Sequence, residues 1–421
     1  MDSLECESLR ERLLAVRANR DLTRAEVARS AGVSHDTVKK IEEGRTLPGV
    51  DTAERLARAL GLDPRWLVFG QGTYERTTRT IMVTPDYDPL RMCRELREAL
   101  ASPNGYLLDS YKYLDPAGAQ DWAQLLDDKG FSAVVDALPM SSLVDHLVLA
   151  LDGHPYDVWG LGSGTGQMEL SLVARLVGKK QRDVRVFLVD VSQPLLTEAL
   201  RKSEQTLGKS KKYPIPVIGL LGDFNQFPSF GLLPGAGRRR LLTMFGYTLS
   251  NLENETRFIR RSLSWVNRGD ILILDVPKAV AQNDDDILRN DPALKKRRAG
   301  QWSDLLEPFL TGPILRHVAG ISTIKVTAQL DRGSSVIPGS YAIEYVADVK
   351  LTTGQARRYS IGYSKRYTEE GVTAIMLQEG WEKLCCMEYG PALLFAFRRT
   401  NSPQLQKQGR PRRKESNSVA G

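Results

Sequence analysis

Cysteine and histidine are both scarce in this chain, with four of each among 421 residues. Cys6, Cys93, Cys385 and Cys386 have neither metal-ligand spacing nor the pattern of a disulfide framework. Adjacent Cys385 and Cys386 are expected on opposite faces of a strand. The histidines His35, His146, His154 and His317 are scattered, so neither a Ser-His nor a Cys-His catalytic pair is indicated. No metal is expected. Long apolar runs are also missing, which excludes an ordinary membrane-spanning helix. The opening MDSLECESLRER reads as too charged for a secretory signal, so a cytoplasmic protein is expected. Hydrophobic residues make up 42% and charged ones 26%, a globular composition, and the length allows two or three domains.

An excess of charge is missing from the first seventy residues, where twelve acids balance twelve Lys or Arg. The net charge of +7 belongs mostly to the far end. Residues 398–421 hold seven Lys or Arg against Glu415 alone. Residues 401–421 lack apolar periodicity and read as a basic disordered tail, either solvated or adding loose phosphate affinity.

Residues 1–72 are punctuated as a helical bundle. Leu9, Leu13, Leu14 and Val16 form an apolar stripe on a first helix. TRAE at 23–26 is a capping box opening a second. Gly32 suits a tight turn, and Ser34 is placed to cap a third helix, HDTVKKIEEG. A fourth helix starts at DTAE (51–54) and stops at Gly61, and a short fifth follows. Two short helices joined by a glycine turn make a helix-turn-helix. Residues 8–72 resemble the Cro/phage-repressor-like DNA-binding domains, down to GRTLPGVDTAERLARALG. The resemblance implies that Ser34, His35, Asp36 and Thr37 lead a recognition helix. His35, Thr37 and Lys40 would then face base edges, while Ser34, Lys39 and Arg45 would position phosphates. It also implies binding as a homodimer. A bundle of this kind without excess charge can instead serve protein contacts.

The polar QGTYERTTRT at 71–80 begins what is expected to be a linker over 73–85. Residues 86–155 read as a mostly helical cap or substrate region. At 156 the period changes. YDVWGL is a buried strand, GSGTG a turn and QMELSLVARLVGKK a helix. DVRVFLVDVS, IPVIGLLGDF, RRRLLTMFGYT and DILILDVP supply further strands with helices between them, ENETRFIRRSLSWVNRG among these. Alternating strands and helices give a parallel sheet covered on both faces, with ligands at the carboxyl ends of its strands.

Gly162, Ser163, Gly164, Thr165 and Gly166 lie between the first strand and its helix. Asp190 and Val191 close the second strand, and Gly222, Asp223 and Phe224 the third. An acid at Asp190 can hold both ribose hydroxyls. Asp223 can accept from an adenine amino group, and Phe224 can lie against the ring. The order GSGTG, VDVS, GDF, with a closing hairpin WEKLCCMEY-GP-ALLFAFRR, resembles the class I S-adenosylmethionine-dependent methyltransferases. This implies an α/β Rossmann-like domain over 156–400 that binds S-adenosylmethionine.

Two boxes that DNA methyltransferases need are absent. After the fourth strand stands FGYTLSNLENE, with neither an Asp-Pro-Pro-Tyr-like box nor a Pro-Cys nucleophile. FGYTLSNLENE, together with GLGSGTG, VDVS and GDF, resembles the histidine-specific Nα-methyltransferase family over roughly residues 104–400. That implies roles in holding substrate for Asn251, Tyr247 and Ser364. An N-cap role for Asn251 fits the sequence as well. The family's acid ahead of the glycine loop is replaced by Gly160, its following lysine by Met168, its tyrosine by Leu114, and its imidazole-clamping acid by Gly362. Histidine specificity is therefore not expected. The function expected is methyl transfer to a small-molecule or peptide amine. The alternative is a non-catalytic transcription regulator that uses the domain as a ligand sensor.

Overall fold

The computed structural model describes residues 8–19, 22–62, 64–69, 79–128, 136–179, 183–207, 215–225, 238–298 and 302–400. Cys6, the start of the expected linker up to residue 78, and the tail 401–421 lie outside the described residues.

The first five helices are α1 (Leu9–Asn19), α2 (Arg24–Ala31), α3 (His35–Glu42), α4 (Val50–Ala59) and α5 (Pro64–Phe69). The capping box at the start of α2 is formed: Glu26 N donates to Thr23 Oγ1 at 3.2 Å, and Thr23 N donates to Glu26 Oε2 at 2.8 Å. Gly32 ends α2 with a φ of 62°, and Ser34 Oγ caps α3 by accepting from Thr37 N at 3.0 Å. Leu13, Val16, Val38, Ile41 and Leu56 form the core. The Glu42 side chain is fully buried at the end of α3, where Arg17 and Arg24 donate to it at 2.5 and 2.6 Å. This pairing fixes α3 against α1 and α2.

The main sheet has eight strands. In spatial order they are β1 (Arg79–Val83), β5 (Val217–Leu221), β4 (Val184–Asp190), β3 (Tyr156–Leu161), β6 (Arg239–Met244), β7 (Ile271–Pro277), β12 (Ala392–Arg399) and β11 (Trp381–Tyr389). The first six run parallel, while β12 is antiparallel to both β7 and β11. Every residue of β3 and β7 is buried, as expected for strands covered on both faces. Helices α8 (Met140–Leu151), α9 (Gln167–Gly178) and α10 (Gln193–Leu207) pack on one face through Leu147, Val173 and Leu196. Helix α14 (Glu369–Gln378) and residues 255–266 cover the other through Val372, Phe258 and Val266. Cys385 and Cys386 pack into these two opposite cores. This is an α/β Rossmann-like fold, joined to an all-α helix-turn-helix bundle.

Two expectations need correction. Residues 79–83 are not linker: they pair with β5 as an edge strand, Ile81 opposite Gly219. Their polar lead-in hides a strand whose support is tertiary. Arg398 and Arg399 belong to β12, and Arg398 donates to Glu382 at 2.8 Å. The helix read over ENETRFIRRSLSWVNRG is brief. It starts at Glu255 and continues as a π-turn over Phe258–Ser262, with Leu263 N donating to Phe258 O.

Residues 278–368, between β7 and α14, build a second sheet absent from the sequence reading. Strands β8 (Ile321–Asp331), β9 (Tyr341–Leu351) and β10 (Ala356–Arg366) form an antiparallel meander, and β2 (Asn104–Tyr106) adds parallel to β10. Helices α6 (Pro89–Ala101), α7 (Pro116–Asp127) and α13 (Leu306–His317) share its core, which includes Leu100, Phe309 and Tyr359. Helices α11 (Asp284–Asn290) and α12 (Pro292–Arg298) precede α13. Ion pairs brace this unit internally and tie it to the segment after β6. Arg316 donates to Asp115 and Asp121 at 3.0 and 2.9 Å. Buried Lys365 meets Glu255 at 3.0 Å and donates to the carbonyls of Leu252 and Glu253.

Candidate functional site

The carboxyl ends of β3, β4, β5 and β6 open into a cavity of about 500 Å³. Its floor includes Gly162, Ser163, Gly164, Thr165, Asp190, Val191, Asp223 and Phe224. Gly162 has a φ of 69°, and a side chain there would meet Phe224 at 3.0 Å. Gly164 has a φ of 53° and donates its N–H to Asp190 Oδ2 at 2.8 Å, while Ser192 N donates to Oδ1 at 2.9 Å. The turn and the acid thus hold one another. Burial raises Asp190 to about 6, against the pull of those N–H groups. Asp223 Oδ1 accepts from Asn225 N, and Phe224 packs edge-on to Phe258 with ring centres 5.8 Å apart. Ser163 Oγ is buried with no partner in the protein. Gly166 and Gly222 do not line the cavity. Gly166 starts α9 where a side chain would strike Leu188, and Gly222 N donates to Asp190 O.

Glu169 on α9 is a functional candidate that sequence reasoning missed. It lines the cavity, is 2% exposed, and accepts from Thr243 Oγ1 at 3.1 Å. Burial pushes its carboxyl up to about 7. A side chain at Gly160 would lie 2.9 Å from Glu169 Cγ. Glu169 therefore occupies the space that a side chain at Gly160 would enter, a relation that only the fold reveals.

The cover comes from residues 106–126, from Asp136 and from residues 245–262. Tyr106, Asp109, Tyr113, Trp122 and Asp136 line it from the helical region, and Asn251, Glu253 and Arg257 from beyond β6. Tyr106 is pushed well up by burial and by the carboxylates of Glu253 and Asp109, and its ring meets Tyr363 at 5.9 Å. Buried Lys112 pairs with Asp109 and lies 5.5 Å over the Phe309 ring. Its Nζ would be 2.9 Å from any Cβ at Gly362. Among the described lining residues there are six carboxylates (Asp109, Asp136, Glu169, Asp190, Asp223, Glu253) and one guanidinium, Arg257.

Two of the three substrate-holding candidates fall away from this space. Asn251 lines the cavity from the short 3-10 turn Thr248–Asn251, with Ser250 Oγ donating to its Oδ1 at 3.2 Å. Tyr247 does not line it. Its φ of 64° turns the ring into the core on the far face of the sheet, while its N–H donates to Asp275. Ser364 on β10 does not line it either; Arg366 donates to its Oγ at 2.6 Å. The cap role weighed for Asn251 falls instead to Asn254, whose side chain accepts from Arg257 N at 2.7 Å.

In the N-terminal domain, Ser34, His35, Asp36, Lys39, Lys40 and Arg45 are exposed and Thr37 half-buried. Lys40 pairs with Asp36 at 2.8 Å and Arg45 with Glu43 at 3.1 Å. These pairs mask part of the positive face that phosphate contacts need.

Residues 13–67 match the helix-turn-helix family model. No curated protein matches the chain. Among solved structures, an S-adenosylmethionine-dependent methyltransferase from Clostridium acetobutylicum is 11% identical. That match covers 67% of this chain and 99% of the other, with a TM-score of 0.34. The magnesium protoporphyrin IX methyltransferase of Synechocystis, solved with bound SAH, is 14% identical over 69% of this chain and 98% of its own, at 0.39. The restriction-modification controller protein C.AhdI of Aeromonas hydrophila is 27% identical over 14% of this chain and 89% of its own, at 0.14. Among the described residues no helix is long and apolar enough to cross a membrane, and no cluster of acids, His or Cys could hold a metal.

Proposed function

We propose that the C-terminal domain binds S-adenosylmethionine in this cavity and methylates an amine, and that the N-terminal domain reads duplex DNA as a homodimer. The observation that carries the first part is the cavity's charge: six carboxylates against one guanidinium, over a glycine turn locked to Asp190. Such a wall favours cations, and both the sulfonium cofactor and an amine acceptor are cationic in water. The volume falls within the roughly 300–1,000 Å³ of small-molecule sites. The unpartnered Ser163 Oγ and the open approach at Gly162 fit a ligand lying against the loop.

When bound, S-adenosylmethionine supplies an electrophilic methyl carbon on positively charged sulfur. Asp190 would hold the ribose hydroxyls, Asp223 the adenine amino group, and Phe224 the adenine face. Glu253 would draw the acceptor's ammonium into the cavity and take its proton, exposing the nitrogen lone pair. Asn251 offers both a donor and an acceptor to orient the acceptor. Trp122 and Tyr113 over the glycine turn exclude water. What remains is an alignment of nucleophile with methyl carbon, which needs no further acid or base.

The sensor alternative drew on Gly160 and Met168. The carboxylate of Glu169 beside Gly160 removes the first of these supports. Incubation of the full chain with methyl-labelled S-adenosylmethionine and pools of amines and peptides separates the two readings. Labelled product is expected, and bound cofactor without product favours the sensor. For the N-terminal domain, selection from a random duplex pool, with and without cofactor, is expected to enrich a two-fold symmetric site. No enrichment in either condition overturns the DNA reading.

A further inference from the structure

Among the described residues, Glu169 meets no cation of the kind a buried carboxylate needs. Thr243 of β6 donates one hydroxyl to it, and the charged groups that face it from neighbouring elements are the acids Asp275 of β7 and Asp190 of β4. An ionised carboxylate so enclosed is unfavourable unless paired, so the group holds its proton or meets a cation that arrives with the ligand.

Its place in the sheet says which part of the ligand that is. Adenine contacts belong to Asp223 and Phe224 beyond β5, and ribose contacts to Asp190 at the end of β4. The strand order β5-β4-β3-β6 then carries the far end of an extended nucleoside over β3 and β6. Glu169 lies there, against Gly160 of β3 and Thr243 of β6. In S-adenosylmethionine that far end is an amino acid bearing an α-ammonium.

We propose that Glu169 is the carboxylate that receives the cofactor's α-ammonium, delivered from helix α9 into space kept open by Gly160. The inference rests on the cavity being the S-adenosylmethionine site. It makes positions 160 and 169 a close pair, since a Cβ at 160 would stand 2.9 Å from Glu169 Cγ, with Ser163 Cβ at 3.0 Å on its other side. It also couples binding to a proton. Burial holds Glu169 near 7, and an ammonium beside it favours the ionised form, so binding near neutral pH releases a proton.

The test is calorimetric titration of the full chain with two probes, S-adenosylhomocysteine and 5′-methylthioadenosine, which keeps the nucleoside and thioether but lacks the amino acid. Glu169→Gln is expected to weaken S-adenosylhomocysteine about 10- to 100-fold, the loss of one charge-assisted bond, and to leave 5′-methylthioadenosine within about twofold. Repeated at pH 7 in two buffers of different ionisation enthalpy, wild type is expected to release about half a proton with S-adenosylhomocysteine, and the variant less. Should Glu169→Gln fail to fold, Gly160→Ala tests the same contact by crowding the Glu169 side chain. It is expected to show the same selectivity between probes. If wild type binds both probes and the variants lose neither or both alike, the role of Glu169 is overturned while the cofactor site stands. If wild type binds neither probe, the cofactor reading itself fails and this inference falls with it.

Discussion

At the floor of the cavity, Gly162, Asp190 and Phe224 follow consecutive parallel strands, each a few residues from a strand end. At its cover, Tyr106, Asp109, Trp122, Asn251 and Glu253 come from two segments more than a hundred residues apart, held in place by an inserted sheet. The floor is tightly constrained: its glycine turn takes backbone angles that side chains resist, and Asp190 accepts one N–H from that turn and one from Ser192 in its own loop. The cover is joined by side-chain links such as Arg316 to Asp115 and Lys365 to Glu255. A floor of this kind suits an invariant ligand, and a cover of this kind suits one that differs from enzyme to enzyme.

That contrast can be broken experimentally, and the floor should break hardest. Gly162→Val places a branched side chain at positive φ and against Phe224. Cofactor affinity is expected to fall roughly 100-fold or more, read by calorimetry. Asp190→Ala removes both the ribose contact and the anchor of the Gly164 turn, with an expected loss of about 10- to 100-fold. Acid should act on the same groups. Asp190 and Glu169 are raised to about 6 and 7 by burial, so their ionised forms, which a cationic ligand needs, disappear as pH falls. Affinity is expected to drop at least about tenfold between pH 8 and pH 5. The stability of the free protein moves the other way. Carboxyls whose folded values are raised favour the fold below their ordinary range, and that contribution is lost as pH rises through 6 to 7. A thermal melt of the free protein that worsened on acidification through these two groups would contradict the assignment.

The cover should respond in turnover rather than in cofactor binding. Asn251→Ala is expected to lower kcat/KM for the amine about tenfold while cofactor affinity stays unchanged. If affinity for the cofactor falls equally, floor and cover are not separate. The smallest effects belong to residues that the sequence nominated and the fold turned away. Tyr247→Phe and Ser364→Ala are expected to change kcat/KM by less than about twofold.

The floor was legible because its signal is local. A strand, a glycine turn and an acid at the next strand end fall within about thirty residues, and chain order alone puts them together. The capping box at Thr23 and the turn at Gly32 were legible for the same reason. Glu169 was not. In sequence it is a first-turn helix acid like any other, and its significance depends on Gly160 facing it across the fold. Tyr106 and Asp109 sit in a segment whose periodicity signals only helix. The strands β8–β10 did carry a pattern, as in YAIEYVADVKL, but it says nothing of the cavity they brace. Tyr247 misled because its backbone, not its ring, is beside the site. Strand β1 escaped notice because its opening residues are polar and its support is pairing with β5.

The most direct test of the central claim is calorimetric titration of the intact chain with S-adenosylmethionine, beside the Asp190→Ala variant. The expected result is saturable one-to-one binding by the wild type that weakens at least about tenfold in the variant. Absence of binding by a folded wild-type chain, or equal binding by both proteins, would contradict it.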